Sequence, residues 1–566
     1  MAKTKRTPEV SFDSLLILFR FFLNEIGVKE LSTFGKTLNS EDYEGIGPNG
    51  DSYFYEYIKS IPGLKIEQSL LRQYDENILR HLKHIGEKRG GLRLKYFQYI
   101  SLLFSEIYLD RYFTDAAAFA ARLNDWLHEK EAKSMGAIYF SDYTTEQLSK
   151  IAFMCATGSG KTLTMHINIL QYLHYFKRAK RSLSSLSLNR IILVTPNEGM
   201  SQQHLEELDL SNIPAKIFSK DGLFSSGDNS NEVLIIDINK FADKMGEKTV
   251  DVESFEPNNL VLVDEAHRGL TSGDAWVKFR RKIAEEGFTF EYSATFKQSL
   301  NANARKAEER AALEEYGKSI IMDYSYKYFY NDGYGKDYRI YNLTSSYEDE
   351  SRQVYLVGCL LDFYQQVKFY ETYKAQMALY NIEKPLLIFV GNKVTATTTS
   401  SELSDVQEIL AFIDSFVRNK KQSIKMIEDV LHMRTGIVNS SGADLFEHGL
   451  EALIDNIYHG SVPPGADIYA DILRLVFNSD TNSDEPRLHI ANIKQVPGEI
   501  ALRIGESGEY FGVINIGDTA GLMKACVSKG IVSKNEEFHN ASLFKTINKK
   551  DSDINILIGS RKFTEG

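Results

Sequence analysis

A chain of 566 residues, 43% hydrophobic and 25% charged, is a globular chain of three or four domains, long enough to bury large cores. Its formal net charge of −11 excludes a globally basic nucleic-acid binder, so such a function would need a local basic groove. Cys155, Cys359 and Cys526 stand far apart with no CxxC spacing, which excludes a disulfide framework and a zinc site and points to a reducing compartment. Residues 15–23 are apolar but short, broken by Arg20 and followed by Asn24-Glu25; they read as an amphipathic helix, not a signal peptide. No run approaches transmembrane length, and the chain is expected in the cytoplasm.

Residues 1–145 are predicted mainly helical, with apolar residues at helical spacing over 12–27, 66–84 and 96–128. The dense aromatics of 96–99 and 108–113 are expected in the core. Gln98 is set apart, because an amide on a helix upstream of a phosphate loop offers one donor and one acceptor to the N6/N7 edge of adenine. Residues 83–95 carry Lys83, Lys88, Arg89, Arg93 and Lys95 around Gly90-Gly91. This stretch reads as a solvated loop, with a phosphate-backbone contact as the lesser reading.

From residue 150 the pattern changes to short β-branched runs alternating with longer helical stretches: 151–155, 190–195, 232–238, 260–263 and 288–292. Continuous apolar runs of this kind are buried parallel strands, and the alternation predicts a doubly wound α/β lobe with its ligand site at the strands' carboxyl ends. The first run leads into Ala156-Thr157-Gly158-Ser159-Gly160-Lys161-Thr162 and then a helical segment. Strand, glycine loop, Lys-Thr and helix together make a phosphate-binding loop. The backbone N–H groups of residues 157–160 and the positive end of the helix face phosphate oxygens. Gly158 and Gly160 let the backbone wrap closely. Lys161 is placed for the β/γ-phosphates, and the Thr162 hydroxyl for Mg²⁺.

About a hundred residues after Lys161, Asn259-Leu-Val-Leu-Val runs into Asp264-Glu265-Ala266-His267, the strand-then-carboxylate pattern of a Walker B element. Asp264 is expected to hold Mg²⁺ directly or through water, and Glu265 to take a proton from an attacking water. The charged stretch 298–318 reads as a solvated helix, and a tyrosine-rich segment over 324–341 follows. The lobe boundary is placed within 330–345, giving a first lobe over 146–335 and a second over 336–566. The second α/β pattern opens at Pro385-Leu-Leu-Ile-Phe-Val-Gly391 and is interrupted by a mainly helical insertion at about 396–485. Strand-like runs return at 488–493, 499–504, 511–516 and 554–559.

Asp264-Glu265-Ala266-His267 and Ser293-Ala294-Thr295, following the phosphate loop in order, resemble motifs II, III and I of superfamily 2 helicases of the DEAD/DEAH type. The set is similar to the motor (Res) subunit of Type III restriction enzymes. Tyr96-Phe97-Gln98 resembles an adenine-reading element, Thr195-Pro196-Asn197 motif Ia, residues 385–391 motif IV and residues 556–566 motif V; the likeness spans roughly residues 90–566. It implies two RecA-like parallel-sheet lobes, ATP and Mg²⁺ as cofactors, and nucleic acid, DNA favoured, as the partner. A methyltransferase or specificity subunit is a further implied partner. It also implies that His267, Ser293 and Thr295 couple nucleotide state to lobe movement, and that Thr195 and Thr564 touch the nucleic-acid strand. The sequence ends inside the motif V match and shows no counterpart of the motif VI arginines, so a C-terminally truncated motor with an incomplete second lobe is expected. No Asp…Glu-x-Lys constellation supports DNA cleavage. The reading is an ATP-dependent DNA motor of a restriction or phage-defence system. The alternatives are an RNA-directed helicase and a nucleotide-binding module with little turnover.

Overall fold

The computed structural model describes residues 11–134, 139–219, 231–242, 250–251, 255–267, 274–300, 306–343, 349–380, 382–391, 405–479, 486–494, 496–506, 508–528, 530–536, 542–549, 552–559 and 563. The chain divides into two compact units, Met1–Asp337 and Tyr338–Gly566. Both are α/β, and the first opens with a helical region.

The apolar runs of the first unit become β1 (Lys150–Cys155), β2 (Ile191–Thr195), β3 (Ala215–Ile217), β4 (Val233–Asp237), β7 (Leu260–Asp264), β8 (Phe288–Ser293) and β9 (Ile320–Tyr324). Between β4 and β7, Phe241–Ala242 (β5) and Val250–Asp251 (β6) pair separately. The seven strands form one sheet in the order β3-β4-β2-β7-β8-β1-β9, and every pairing is parallel. Residues along β2, β4, β7, β8 and β9 are buried throughout, and β2, β4 and β7 accordingly read as near-continuous apolar runs. β8 lies between β1 and β7, so Ser293 at its end sits between the glycine loop after β1 and Asp264 at the end of β7.

The N-terminal helices are part of this lobe's core. A single hydrophobic cluster runs from Phe12 through the helices to the strands and Tyr324. Its main helical wall is Tyr96–Lys133, interrupted at Asp115, where the backbone becomes extended (φ −160°) and the Asp115 carboxylate accepts from the Ala118 N–H at 2.9 Å. That local side-chain bond caps the second half of the helix and explains the bend.

The second unit holds a six-stranded sheet of β10 (Leu387–Val390), β11 (Leu488–Ile493), β12 (Glu499–Ile504), β13 (Gly512–Asn515), β14 (Val532–Glu536) and β15 (Ile556–Gly559), in the order β10-β15-β13-β12-β11-β14. β11–β12 and β12–β13 are antiparallel and the other pairings parallel, so this sheet is mixed. Connection length is the reason. Five residues join β11 to β12 and seven join β12 to β13, too few for the crossover of about a dozen that a parallel pair needs. The described part of the insertion forms the helices Asp405–Arg418, Lys420–Leu431 and Gly465–Leu475, which build one core with the helix Asp349–Thr372 and the sheet. No helix among the described residues is long and apolar enough to cross a membrane.

Candidate active site

The phosphate loop follows β1 directly. Its entry is pinned to β9, where the Ala156 N–H donates to the Tyr324 carbonyl at 2.9 Å. The turn closes on itself: the Ser159 N–H (3.1 Å) and hydroxyl (2.7 Å) both donate to the Ala156 carbonyl. Gly158 and Gly160 take φ of +85° and +87°, a region open to glycine and strained for other residues. Thr157 and Gly158 are exposed, and Thr162 is half-buried in the first turn of the helix Lys161–Lys180. The first-turn N–H groups of that helix lack intrahelical partners and carry its positive end.

Gln98 reaches this loop. Its Nε2 donates to the Ser159 carbonyl at 2.9 Å, and its Oε1 accepts from the Lys95 N–H at 2.9 Å. An amide can make four hydrogen bonds, so one N–H and one lone pair remain for a further partner. A Cβ built on Gly160 would lie 2.4 Å from Gln98 Nε2, so the close approach of Gln98 and the glycine depend on each other. On the other side, a Cβ on Gly158 would meet Phe329 at 3.5 Å. Phe329 belongs to an aromatic group in which Tyr324 stacks on Phe97 at 3.8 Å between ring centroids. The tyrosine-rich segment thus begins as wall of the phosphate loop, not as a linker.

β7 delivers Asp264 and Glu265 to the same place. Lys161 Nζ lies 2.6 Å from Glu265 Oε1 and 4.0 Å from Asp264 Oδ1. Burial alone would lower the Lys161 pKa, but the charges of Asp264 and Glu265 outweigh it and raise it. Burial would likewise raise Glu265, yet the hydrogen bond to His267 and the Lys161 charge hold its carboxyl down to about 2. Glu265 adopts φ +52°, uncommon for a non-glycine residue, while the next N–H, of Ala266, donates to the Tyr292 carbonyl of β8 at 3.0 Å. His267 Nδ1 lies 2.8 Å from Ser293 Oγ and 3.3 Å from Glu265 Oε2, and Ser293 Oγ accepts from the Thr295 N–H at 3.0 Å. A continuous polar path therefore runs from Lys161 through Glu265 and His267 to Ser293 and Thr295.

Thr195, also singled out in the sequence, is not part of this cluster. Thr195 ends β2 fully buried, with its hydroxyl 2.6 Å from Ser201 Oγ. Thr564 lies outside the described residues. In the basic stretch three of the five cations are paired with carboxylates. Lys88 bonds Asp209 at 2.9 Å, Arg89 bonds Glu207 at 2.6 Å and Lys95 bonds Glu44 at 2.6 Å. The sequence reading missed His204, which is 3% exposed and places Nε2 3.0 Å from Asp264 Oδ2. The helical spacing of Ser201, His204 and Leu208 marks the buried face of the helix Glu198–Leu210 but does not set His204 apart from a core residue.

The donor set suits Mg²⁺. Thr162 and Asp264 offer hydroxyl and carboxylate oxygens, the hard ligands this ion takes, and Asp264 Oδ1 accepts only the Glu265 N–H, at 3.0 Å. Among the described residues no group of three or more His, Cys, Asp or Glu side chains could hold a metal by itself. A separate cavity of about 870 Å³ opens among the N-terminal helices, lined by residues such as Phe54, Leu79 and Leu94 and by no residue of the phosphate loop.

Residues 116–298 match the family model for the Type III restriction enzyme, res subunit. The first unit resembles a Res motor. The matched segment contains the phosphate loop, residues 264–267 and residues 293–295; Gln98 and the second unit lie outside it. The chain also aligns with solved helicase structures. With the UvsW helicase of bacteriophage T4 it shares 13% identity over 36% of this chain and 71% of that one, TM-score 0.21. With the SWI2/SNF2 ATPase core of Sulfolobus solfataricus it shares 10% over 73% of each, TM-score 0.22. With the Hef helicase domain of Pyrococcus furiosus it shares 11% over 73% and 82%, TM-score 0.24. The family match and the geometry stand without them. No curated protein sequence matches the chain.

Proposed function

We propose that this chain is an ATP-dependent nucleic-acid motor of the superfamily 2 helicase type, acting on DNA in a restriction or phage-defence system. The observation that carries the reading is the convergence of Lys161, Asp264 and Glu265 at the carboxyl ends of β1 and β7. In this reading the phosphate loop cradles the ATP phosphates, and Gln98 uses its remaining amide capacity on adenine. Thr162 and Asp264 would hold Mg²⁺, which supplies charge neutralisation for the transferred phosphoryl group. Phosphate at Lys161 exchanges for the Lys161–Glu265 ion pair. That exchange frees the Glu265 carboxylate to orient and deprotonate water. His267, Ser293 and Thr295 then carry the changed position of Glu265 to the end of β8.

Lys161→Ala is expected to abolish binding of a fluorescent ATP analogue measured by equilibrium titration; native affinity in this variant contradicts the assignment. Duplex DNA is expected to stimulate phosphate release more than duplex RNA at the same salt concentration, since the phosphate-contact term depends on salt for both. Stronger stimulation by RNA would move the substrate to the other nucleic acid while leaving the ATPase reading intact. The Res likeness further implies a methyltransferase or specificity subunit as partner, to be sought by co-purification.

A further inference from the structure

We propose that His204 is a positioning residue for the metal-binding carboxylate: its Nε2–H holds Asp264 Oδ2 so that Oδ1 is presented to Mg²⁺. This rests on the ATPase reading. Both side chains are buried, 3% exposed for His204 and 5% for Asp264. Their contact is 3.0 Å, and His204 Nδ1 is buried with no hydrogen-bond partner. Only Nε2 has an acceptor within reach, so in the neutral imidazole the proton belongs there. Asp264 Oδ1 points the other way, toward the Glu265 N–H at 3.0 Å and Lys161 at 4.0 Å. With Oδ2 tied down, rotation of the carboxylate about its Cβ–Cγ bond is blocked and one oxygen is left for a ligand.

The support behind His204 is built at both ends of its helix. Asn197 caps the start, accepting from the Met200 N–H at 2.9 Å. At the other end Arg89 donates to the Glu207 carboxylate at 2.6 Å and to the Glu207 carbonyl at 3.0 Å. Ser211, just past the helix, lies 2.8 Å from His166 Nδ1 on the phosphate-loop helix. His204 is therefore held in register with the phosphate loop rather than resting against Asp264 by chance. Groups that hold a metal-ligating carboxylate typically contribute roughly ten- to a hundred-fold in metal affinity or activity.

The test is nucleotide and metal binding, not turnover. A fluorescent ATP analogue is titrated into the native chain, His204→Ala and His204→Gln, in chelator and in Mg²⁺, and Mn²⁺ binding to the nucleotide complex is followed by electron paramagnetic resonance. The alanine variant should keep its affinity in chelator and lose roughly ten- to a hundred-fold in metal affinity. The glutamine variant, whose Nε2 donates at similar reach, should recover most of that loss. If the alanine variant does not fold, His204→Phe, which keeps the ring's volume without its nitrogens, takes its place. Native metal dependence in the loss variant, an equal loss in chelator, or no recovery by glutamine overturns the proposal. Failure of the native chain to bind the analogue under either condition overturns the ATPase reading itself, and this inference with it.

Discussion

At Gly160 two constraints meet at one missing atom. The left-handed φ of +87° disfavours any side chain by about 1–2 kcal/mol, and the first carbon of one would stand 2.4 Å from Gln98 Nε2. Gly160→Ala should therefore destabilise the fold and displace Gln98, while Gln98→Ala should relieve the second cost and leave the first. In a double-mutant cycle followed by urea denaturation, the double variant is expected to be less destabilised than the sum of the single variants; strict additivity would mean that the two residues act separately. The glycine loop, Lys161, Asp264 and Glu265 were legible in the sequence because their chemistry fixes residue type and spacing. His204 was not, because one buried histidine on a helix has no local pattern that distinguishes a ligand holder from a core residue. The burial of Thr195 was hidden for a different reason: a hydroxyl at a strand end looks exposed until the next helix folds back and Ser201 meets it.

Among the elements, the contact between the helices Tyr96–Lys133 and Lys161–Lys180 was hidden from the sequence. Asn168 and Gln171 look like the polar face of a surface helix, yet both are fully buried. Gln171 (2.7 Å), Asn77 (3.1 Å) and Tyr175 all donate to Glu106, and Tyr292 of β8 donates to Asn168 at 2.7 Å. The network ties the N-terminal helix to the phosphate-loop helix and the sheet. Burial raises the Glu106 pKa from its ordinary 4.5 to about 7 against the pull of those donors. A carboxyl raised on folding binds more protons folded than unfolded between those two values, so stability is full below about 4.5 and falls as pH rises through about 7. The loss should be on the order of a few kcal/mol, and Glu106→Gln should flatten it. Urea denaturation at about pH 5 and about pH 8 checks this, and an equal fall in both chains would contradict it. At the same scale, β1, β2, β4, β7 and β8 were readable from their apolar runs, whereas β9 was obscured by the charged helix before it and the tyrosines after it.

Across the whole molecule, the fold class was readable from the alternation of short buried strands with helices, and the first unit's sheet is parallel throughout. The N-terminal helices between residues 12 and 133 share its core, a tertiary fact that composition could not show. In the second unit the strand positions were visible, but their directions follow from connection length, and the short links make an antiparallel meander inside a mixed sheet. A hydrolytic ATP site formed by Lys161, Asp264 and Glu265 separates nucleotide binding from turnover, and the separation can be measured in the whole chain. Phosphate release from ATP in the presence of duplex DNA is compared between the native chain and Glu265→Gln, with analogue binding measured in parallel. The variant is expected to bind nucleotide like the native chain while turnover falls by roughly a hundred-fold or more, the effect of losing a general base. Turnover at the native rate in Glu265→Gln, with native binding, would contradict it.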